Sequence, residues 1–225
     1  MLFRDRSDAG RALAAHLKEY ARRPDVVVLG LPRGGVVVAS EVAQALGAPL
    51  DALIVRKLGV PGHAELAMGA IAGGGVRFLD RELIRRLGIT DEVVEATTAL
   101  ETRELERREE AYRHAKPPLE VRGRTVLLVD DGLATGATMR AAVASLRERG
   151  PARIVVAVPV GSSSTCAELG AEVDAVVCAR TPEPFLGVGA WYESFLPTSD
   201  EEVRSLLERA SPDQGPASEP RYSAS

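Results

Sequence analysis

Short apolar runs rich in β-branched residues alternate with helix-like stretches along most of the chain. Runs of this kind are typical of strands buried on both faces of a parallel sheet, and the stretches between them are typical of crossover helices. The strands are predicted at 26–29, 52–55, 126–130, 154–158 and 175–178. Crossover helices are predicted at 36–46 and 138–149, the second ended by Gly150 and Pro151. The pattern predicts an α/β fold built on a parallel sheet flanked by helices.

The middle of the chain follows a different pattern. Weaker strands are predicted at 67–72 and 76–79, on either side of three consecutive glycines. Residues 91–114 are densely charged and contain no Gly or Pro, so they predict a long helix with oppositely charged pairs such as Glu104 and Arg108 four residues apart. We interpret this helix as a solvated element that packs one face, with a dimer or lid element as the alternative.

Composition and charge narrow the class of protein. The 225 residues are 45% hydrophobic and 27% charged, which fits one globular domain over 1–210 with its core at about 20–180. No apolar run approaches the roughly 20 residues of a membrane span, and the charged N-terminus is unlike a signal peptide. We therefore expect no membrane association and a cytoplasmic location. Residues 211–225, rich in Ser, Pro and Ala, are expected to form a poorly ordered tail.

The net charge of −4 gives no electrostatic reason to expect nucleic-acid binding. The two cysteines, Cys166 and Cys178, are too few and wrongly spaced for a zinc site or a disulfide framework.

The most informative segment is VLLVDDGLATGATM at 126–139. An apolar strand ends in Asp130 and Asp131, and a loop of small and hydroxyl residues then leads into a helix. Ligands of open parallel sheets bind beyond the carboxyl ends of the strands, and amides at a helix N-terminus attract anions. A phosphate is therefore predicted against this loop, held by Ala134, Thr135, Gly136, Ala137 and Thr138.

The two carboxylates would repel that phosphate, so they must face another part of the ligand. Vicinal hydroxyls or a magnesium ion would suit them, and a phosphate one sugar away from a diol describes ribose 5-phosphate. The simpler alternative is a strand end whose polar residues only cap a helix. The spacing of a P-loop is absent, and the lysine expected late in a receiver domain is also absent.

These residues resemble the signature of the type I phosphoribosyltransferases, in which a hydrophobic strand is followed by an acidic pair and a T-G-x-T loop. The resemblance implies a parallel sheet with a small hood, formed here by about 1–20 and 180–200, and a charged helical insertion at about 80–116. It implies phosphoribosyl pyrophosphate (PRPP) as co-substrate and Mg²⁺ as cofactor. Asp130 and Asp131 would contact the ribose hydroxyls and hold the metal through water.

A second matching element is LPRGG at 31–35. Gly34 and Gly35 expose amides just ahead of a helix, and Arg33 adds a fixed positive charge, which suits an anionic group. Taken alone, the segment is also typical of a helix-entry turn. In the family this position is the pyrophosphate loop, often with a cis peptide, so the resemblance makes Arg33, Gly34 and Gly35 pyrophosphate ligands.

A third element, VRKLGVPGHAELAMGA, begins where the second predicted strand ends. Lys57 places a compact ammonium there and resembles the lysine that opens the flexible catalytic loop of orotate-type enzymes. Those enzymes carry a further lysine where this chain has Val60, so the match is partial. His63 is a candidate general acid or pyrophosphate contact, although a loop histidine is more often simply solvated. Glu65 is a similar candidate.

The hood should contain the residues that recognise the base. Phe185, Trp191 and Tyr192 fall in a C-terminal segment with much of the chain's aromatic content, and a flat base could stack on them. The same residues could equally close a small secondary core. The 6-oxopurine enzymes use a hood lysine, but no lysine follows Lys116 in this chain, which counts against hypoxanthine and guanine.

The leading hypothesis is Mg²⁺-dependent transfer of a phosphoribosyl group from PRPP to a nucleobase or related nitrogen nucleophile. The alternative is a regulator or sensor that binds PRPP or a nucleotide on the same fold without catalysis. A homodimer is compatible with either hypothesis.

Overall fold

The computed structural model describes residues 2–73, 75–113 and 118–210, without the side chains of Ala64, Glu65 and Arg113. Its central sheet contains five parallel strands: β1 Val26–Gly30, β2 Leu50–Ala52, β6 Thr125–Val129, β7 Arg153–Val158 and β8 Ala175–Cys178. Their order across the sheet is β2-β1-β6-β7-β8. The central strands β1 and β6 are buried along their whole length because helices cover both faces of the sheet.

Alternate residues of each strand point to opposite faces, so the sheet separates two apolar cores. Val26 and Val28 pack with the helices α1 Arg6–Ala14, α2 Gly34–Leu46 and α7 Asp200–Ala210. Val27 and Leu29 face the other core, which contains side chains from α5 Ala137–Glu148 and α6 Ser163–Gly170. The result is a three-layer α/β/α arrangement.

A second, antiparallel sheet lies between β2 and β6 in the chain. Its strands are β3 Val55–Val60, β4 His63–Ala72 and β5 Val76–Leu79, followed by α3 Arg81–Leu87 and α4 Asp91–Arg113. Helix α4 packs on β3 and β4 and reaches α7, where the Tyr112 hydroxyl donates to Asp200 Oδ1 at 2.7 Å. An ion pair of 2.6 Å between Arg56 and Glu101 also joins β3 to α4.

Most of the predicted elements are confirmed, with shifts of one or two residues at their ends. The strand at 175–178 matches β8, and those at 26–29, 126–130 and 154–158 correspond to β1, β6 and β7. The strand predicted at 52–55 is wrong in its bounds. The chain leaves the central sheet after Ala52 and enters the second sheet at Val55, and the apolar run 52–55 continues across that change without a polar residue to mark it.

The predicted charged helix is present as α4, although His114 lies outside the described residues. One face is buried through Val94, Leu105 and Tyr112, and Glu104 pairs with Arg108 at 2.8 Å on the exposed side. This agrees with an element that packs one face. The tail at 211–225 also lies outside the described residues, so its prediction stands as made.

The two ends of the described chain meet beyond the carboxyl edge of the central sheet. The Phe3 amide donates to the Trp191 carbonyl at 2.9 Å, and the Glu193 amide donates to the Phe3 carbonyl at 2.8 Å. The segments at about 1–20 and 180–200, expected to form a hood, are thus joined by backbone pairing. Across the described ranges, no helix combines the length and the apolar character that a bilayer crossing requires.

Candidate functional site

The site lies where the strand order of the central sheet reverses. β1 lies between β2 and β6, and Gly30 at the end of β1 is in register with Val129 at the end of β6. The Leu31 amide continues this pairing by donating to the Val129 carbonyl at 2.9 Å. The loops that follow β1 and β6 therefore leave the sheet side by side, at the kind of position where open parallel sheets bind ligands.

The acidic pair occupies the end of β6. Asp130 Oδ1 accepts a hydrogen bond from the Asp131 amide at 2.8 Å. Burial and the neighbouring Asp131 carboxylate raise the pKa of Asp130 well above its ordinary value. Burial disfavours the charged form of Asp130, and the charge of Asp131 repels a second negative charge beside it. The other oxygen of Asp130 has no donor among the residues that the structure describes.

Arg6, at the start of α1, binds the second acid. Its Nε donates to Asp131 Oδ2 at 2.7 Å, with the two side chains only 12% and 17% exposed. Its Nη1 donates to the Leu196 carbonyl at 2.7 Å, and the guanidinium lies 3.9 Å from the centre of the Phe195 ring. Arg6 therefore ties both chain ends to the acidic pair.

Tyr192 provides a second link between the hood segments and the acidic pair. Its hydroxyl donates to the Asp131 carbonyl at 2.6 Å, and its ring packs 5.6 Å from the ring of Phe3. Burial, together with the nearby Asp131, raises the pKa of Tyr192, so the hydroxyl keeps the proton that it donates. With 5% of its surface exposed, the ring has almost no surface for a base to stack on.

The loop between β6 and α5 presents a run of backbone amides. Those of residues 134–139 donate to no acceptor within the described part of the chain, and the first that does is that of Arg140, which donates to the Gly136 carbonyl at 2.8 Å. Thr135 and Thr138 are exposed beside them. Unpaired amides at the start of a twelve-residue helix favour a bound anion. We call residues 134–138 the cradle.

The packing of α6 and a left-handed backbone both require a glycine at position 136, and the sequence did not suggest the first of these reasons. Its φ of 75° is left-handed, and a Cβ there would lie 2.9 Å from Thr165 Cγ2. The missing side chain therefore makes room for α6, behind the cradle, and the left-handed backbone favours glycine independently.

The loop after β1 touches the acidic pair directly. Gly34 and Gly35 are the first two residues of α2 rather than residues of the preceding loop, and Arg33 is the N-cap. A Cβ on Gly34 would overlap the Asp131 carboxylate, and one on Gly35 would lie 2.8 Å from Asp130 Oδ1. The Pro32–Arg33 peptide bond is cis. Arg33 is half-exposed, with its nearest carboxylate that of Asp200 at 3.9 Å.

Lys57 and His63 lie on the second sheet. Lys57 is paired with Ala70 in the β3–β4 hairpin, and His63 begins β4 beyond the turn at Pro61 and Gly62. Lys57 thus lies on an antiparallel strand whose register shifts between Leu58 and Gly59 and again between Gly59 and Val60, whereas the partial resemblance implied the start of a flexible loop. Both side chains are exposed, and neither forms a hydrogen bond or ion pair with a described residue. The Glu65 side chain lies outside the described set.

The remaining aromatic candidates lie in the hood. Phe185 and Trp191 are half-buried and pack against the cluster that contains Phe3, Val160 and Tyr192. Trp191 Nε1 is buried and has no acceptor within the described part of the chain. A buried donor without a partner is rare in proteins and calls for an explanation.

Sequence reasoning missed three residues that support the site. Arg6 holds Asp131, Thr165 donates to the Ala134 carbonyl at 2.7 Å, and Arg140 donates to the Thr135 carbonyl at 3.0 Å. Two of the three partners are distant in the chain, so no local spacing signals them. Arg140 is close to its partner in the chain, but in the TGATMR segment it is simply an arginine one turn into a helix, and nothing in that pattern predicts a contact with the Thr135 carbonyl.

Comparison with known proteins agrees with this architecture. The family model described as "Phosphoribosyl transferase domain" matches residues 4–179. A Mycobacterium tuberculosis protein, Rv0571c, provisionally named a phosphoribosyl transferase, is 47% identical over 209 residues, which are 93% of this chain and 47% of that protein. The chain thus spans about half the length of the curated relatives that it matches first. The "Bifunctional protein PyrR" of a Roseiflexus species is 33% identical over 162 residues, 68% of each chain.

A solved structure extends the agreement to three dimensions. The crystal structure of the protein TT1426 from Thermus thermophilus superposes with a TM-score of 0.85 at 44% identity, over 94% of this chain and all of that one. A parallel sheet with an acidic pair and an amide cradle at its switch point defines a phosphoribosyltransferase-type α/β protein. The chain belongs to the phosphoribosyl transferase domain family.

The pairing of Arg6 with Asp131 should be a main tie between the chain ends and the sheet. We expect Arg6→Gln to lower the free energy of unfolding by about 2 kcal/mol or more, because it leaves a largely buried carboxylate without its cation. Arg4→Gln is the matched control. Arg4 pairs with Asp8 at 2.9 Å, but its side chain is 69% exposed, so the loss should be clearly smaller than that for Arg6→Gln, because solvent screens the pair. Urea unfolding measures both, and equal losses would contradict the assignment.

Proposed function

We propose that this protein is a Mg²⁺-dependent phosphoribosyltransferase that moves the phosphoribosyl group of PRPP to a nucleobase or related nitrogen nucleophile. The observation that carries the proposal is the run of amides at 134–139 that have no acceptor among the described residues, shortly after the two carboxylates. An anion on those amides and a diol on the carboxylates match the two ends of a ribose 5-phosphate. Family membership supports the same ligand.

In the proposed reaction a nitrogen of the acceptor bonds to ribose C1 while the bond from C1 to the pyrophosphate oxygen breaks. The electron pair of that bond leaves with pyrophosphate, and positive charge develops on the sugar. No enzyme nucleophile is required, and the acceptor nitrogen either carries no proton or loses one to solvent. Catalysis then depends on holding the ribose and stabilising the departing charge.

The residues around the switch point divide these tasks. Asp130 and Asp131 accept hydrogen bonds from the ribose hydroxyls, and the cradle holds the 5-phosphate. Gly34 and Gly35 offer amides to the pyrophosphate, and Arg33 adds positive charge there. The contact between α2 and the acidic pair supports this division, because it brings Gly34 and Gly35 against the same carboxylates that the cradle follows in the chain.

The donor set is compatible with magnesium. Magnesium usually keeps several waters and binds through one or two carboxylates plus substrate phosphates. In both Asp130 and Asp131, one carboxylate oxygen accepts from a protein donor and the other has no donor among the described residues. The described residues contain no group of three or more His, Cys, Asp or Glu side chains that could hold a metal ion. These two carboxylates would hold the ion, partly through water. Bound magnesium would neutralise charge on the leaving pyrophosphate.

We place base recognition on Phe185 and Trp191. Both are partly accessible hood aromatics, and the unpartnered indole N–H of Trp191 would gain an acceptor from a base carbonyl if the hood adjusted on binding. Tyr192, a third candidate on sequence grounds, is better explained as a support for Asp131, because its hydroxyl and ring are already engaged.

The first test measures turnover and binding together. With Mg²⁺ and PRPP, one member of a panel of nucleobases should cause pyrophosphate release, and PRPP alone should stabilise the protein by about 2.7 kcal/mol at a hundredfold excess over Kd. Asp130→Asn should weaken PRPP binding about tenfold or more. Asp91→Asn, an exposed site on α4, should not.

Two outcomes would contradict the proposal. Tight PRPP binding without release for any acceptor would favour the sensor alternative. Absence of PRPP binding would exclude the transferase, and absence of nucleotide binding as well would exclude both hypotheses.

Lys57 can be separated from the cradle by its choice of ligand. If its ammonium contacts pyrophosphate, Lys57→Ala should weaken PRPP binding by about 1.5 to 3 kcal/mol and leave ribose 5-phosphate binding nearly unchanged, since that ligand has no pyrophosphate. Lys18→Ala removes the same charge from an exposed site near the N-terminus and serves as the control. Calorimetric titration measures the affinity for both ligands. Equal weakening of PRPP and ribose 5-phosphate binding would mean that Lys57 has a structural role and does not contact pyrophosphate.

The hood aromatics should rank acceptors without holding the sugar. Phe185→Leu and Trp191→Leu remove stacking worth about 0.5 to 1.5 kcal/mol, so the order of nucleobases or nucleotides in a binding panel should change. Ribose 5-phosphate affinity should stay within about twofold, roughly 0.4 kcal/mol. Phe78→Leu, on β5 of the second sheet, controls for general loss of aromatic surface. An unchanged ranking in both hood variants would move base recognition to the segment around residues 3–8.

A further inference from the structure

Two carbonyls of the cradle are bound from behind by side chains. The Ala134 carbonyl accepts from Thr165 Oγ1 at 2.7 Å, and the Thr135 carbonyl accepts from Arg140 Nη1 at 3.0 Å. Thr165 belongs to α6 and is 8% exposed. Neither contact uses an amide of the cradle, so both leave the potential anion donors free.

Because the peptide bond is planar, a contact that fixes the direction of a carbonyl also fixes the direction of the amide that follows it. The cis bonds in the described chain are those preceding Arg33 and Pro184, so the two peptides after Ala134 and Thr135 are trans. In a trans peptide the C=O and the following N–H point in opposite directions. The Thr135 N–H therefore points away from Thr165, and the Gly136 N–H points away from the Arg140 guanidinium.

The Arg140 side chain is itself held in place. Its Nε donates to Glu172 at 2.9 Å and its Nη2 donates to Glu168 at 2.7 Å. With the bond from Nη1 to the Thr135 carbonyl, each of the three guanidinium nitrogens has an acceptor. A planar group held in this way has little freedom to turn its third nitrogen elsewhere. The C-terminal half of α6 and the residues just after it thus fix the direction of one cradle peptide, and Thr165 fixes its neighbour.

We propose that Thr165 and Arg140 are positioning residues that aim the amides of Thr135 and Gly136 at a bound phosphate. This inference rests on the proposed function for the identity of the ligand as a ribose 5-phosphate. The geometry further assigns each side chain its own amide: Thr165 controls the Thr135 N–H, and Arg140 controls the Gly136 N–H. Loss of either side chain frees one peptide plane to rotate and withdraw its donor.

The correspondence between side chain and amide can be read by NMR. In the parent chain, inorganic phosphate should shift the amide protons of Thr135 and Gly136 downfield. Thr165→Val, which keeps the shape but removes the hydroxyl, should abolish most of the Thr135 shift and spare that of Gly136. Arg140→Gln should do the reverse. A general loosening of the loop would instead reduce both shifts in both variants, and that result would overturn the proposal.

Affinities provide the second measurement. Thr165→Val and Arg140→Gln should each weaken ribose 5-phosphate binding about tenfold, the effect of one lost bond to a charged group, and should change Mg²⁺-pyrophosphate binding less than twofold. Thr165→Ser restores the hydroxyl and should restore affinity. Arg108→Gln is the control, because Arg108 pairs with Glu104 at 2.8 Å on α4 and makes no described contact with the cradle.

The outcomes separate this inference from the proposed function. If the parent chain shows the phosphate shifts but binds no ribose 5-phosphate, the proposed function fails and the positioning roles are still decided by the variants. If the parent binds ribose 5-phosphate and the variants bind it equally well, the positioning roles fail alone. If phosphate moves neither amide in the parent chain, the positioning roles fail, and the proposed function is decided separately by PRPP binding and pyrophosphate release.

Discussion

The pairing of β1 with β6 is the constraint on which the rest of the site depends. It brings the first turn of α2 against the carboxylates at the end of β6, so closely that Gly34 and Gly35 have no room for a Cβ. This requirement exists before any ligand binds. The glycines of LPRGG therefore serve packing first, and the position of the amides that we propose to bind pyrophosphate follows from that packing.

Asp131 is where the peripheral segments are joined to this centre. Arg6 binds its carboxylate from α1, and Tyr192 binds its carbonyl from the C-terminal segment. The chain ends also pair with each other through Phe3. A ligand that displaced the Asp131 carboxylate would therefore act on both hood segments, and under the proposed function this would couple acceptor recognition to ribose binding.

The sequence predicted the central sheet well because strands buried on both faces form continuous apolar runs. The same rule failed at 52–55, since an apolar run does not show that the chain has passed from one sheet to another. The acidic pair and cradle were found because they are contiguous. Arg6 and Thr165 were not, because their partners lie 125 and 31 residues away, and only the folded topology brings them together.

In the proposed complex two carboxylates lie beside a polyanion, and this placement requires a balance of charge. Arg6 offsets the charge of Asp131, and the raised pKa of Asp130 shows that a second charge there is already disfavoured. The cradle donates through amides, which attract phosphate without a net positive charge. A chain with a net charge of −4 can then bind such a ligand by the direction of its dipoles. On the proposed positioning roles, Thr165 and Arg140 would then contribute to binding by orienting the cradle peptides as well as through any charge that they carry.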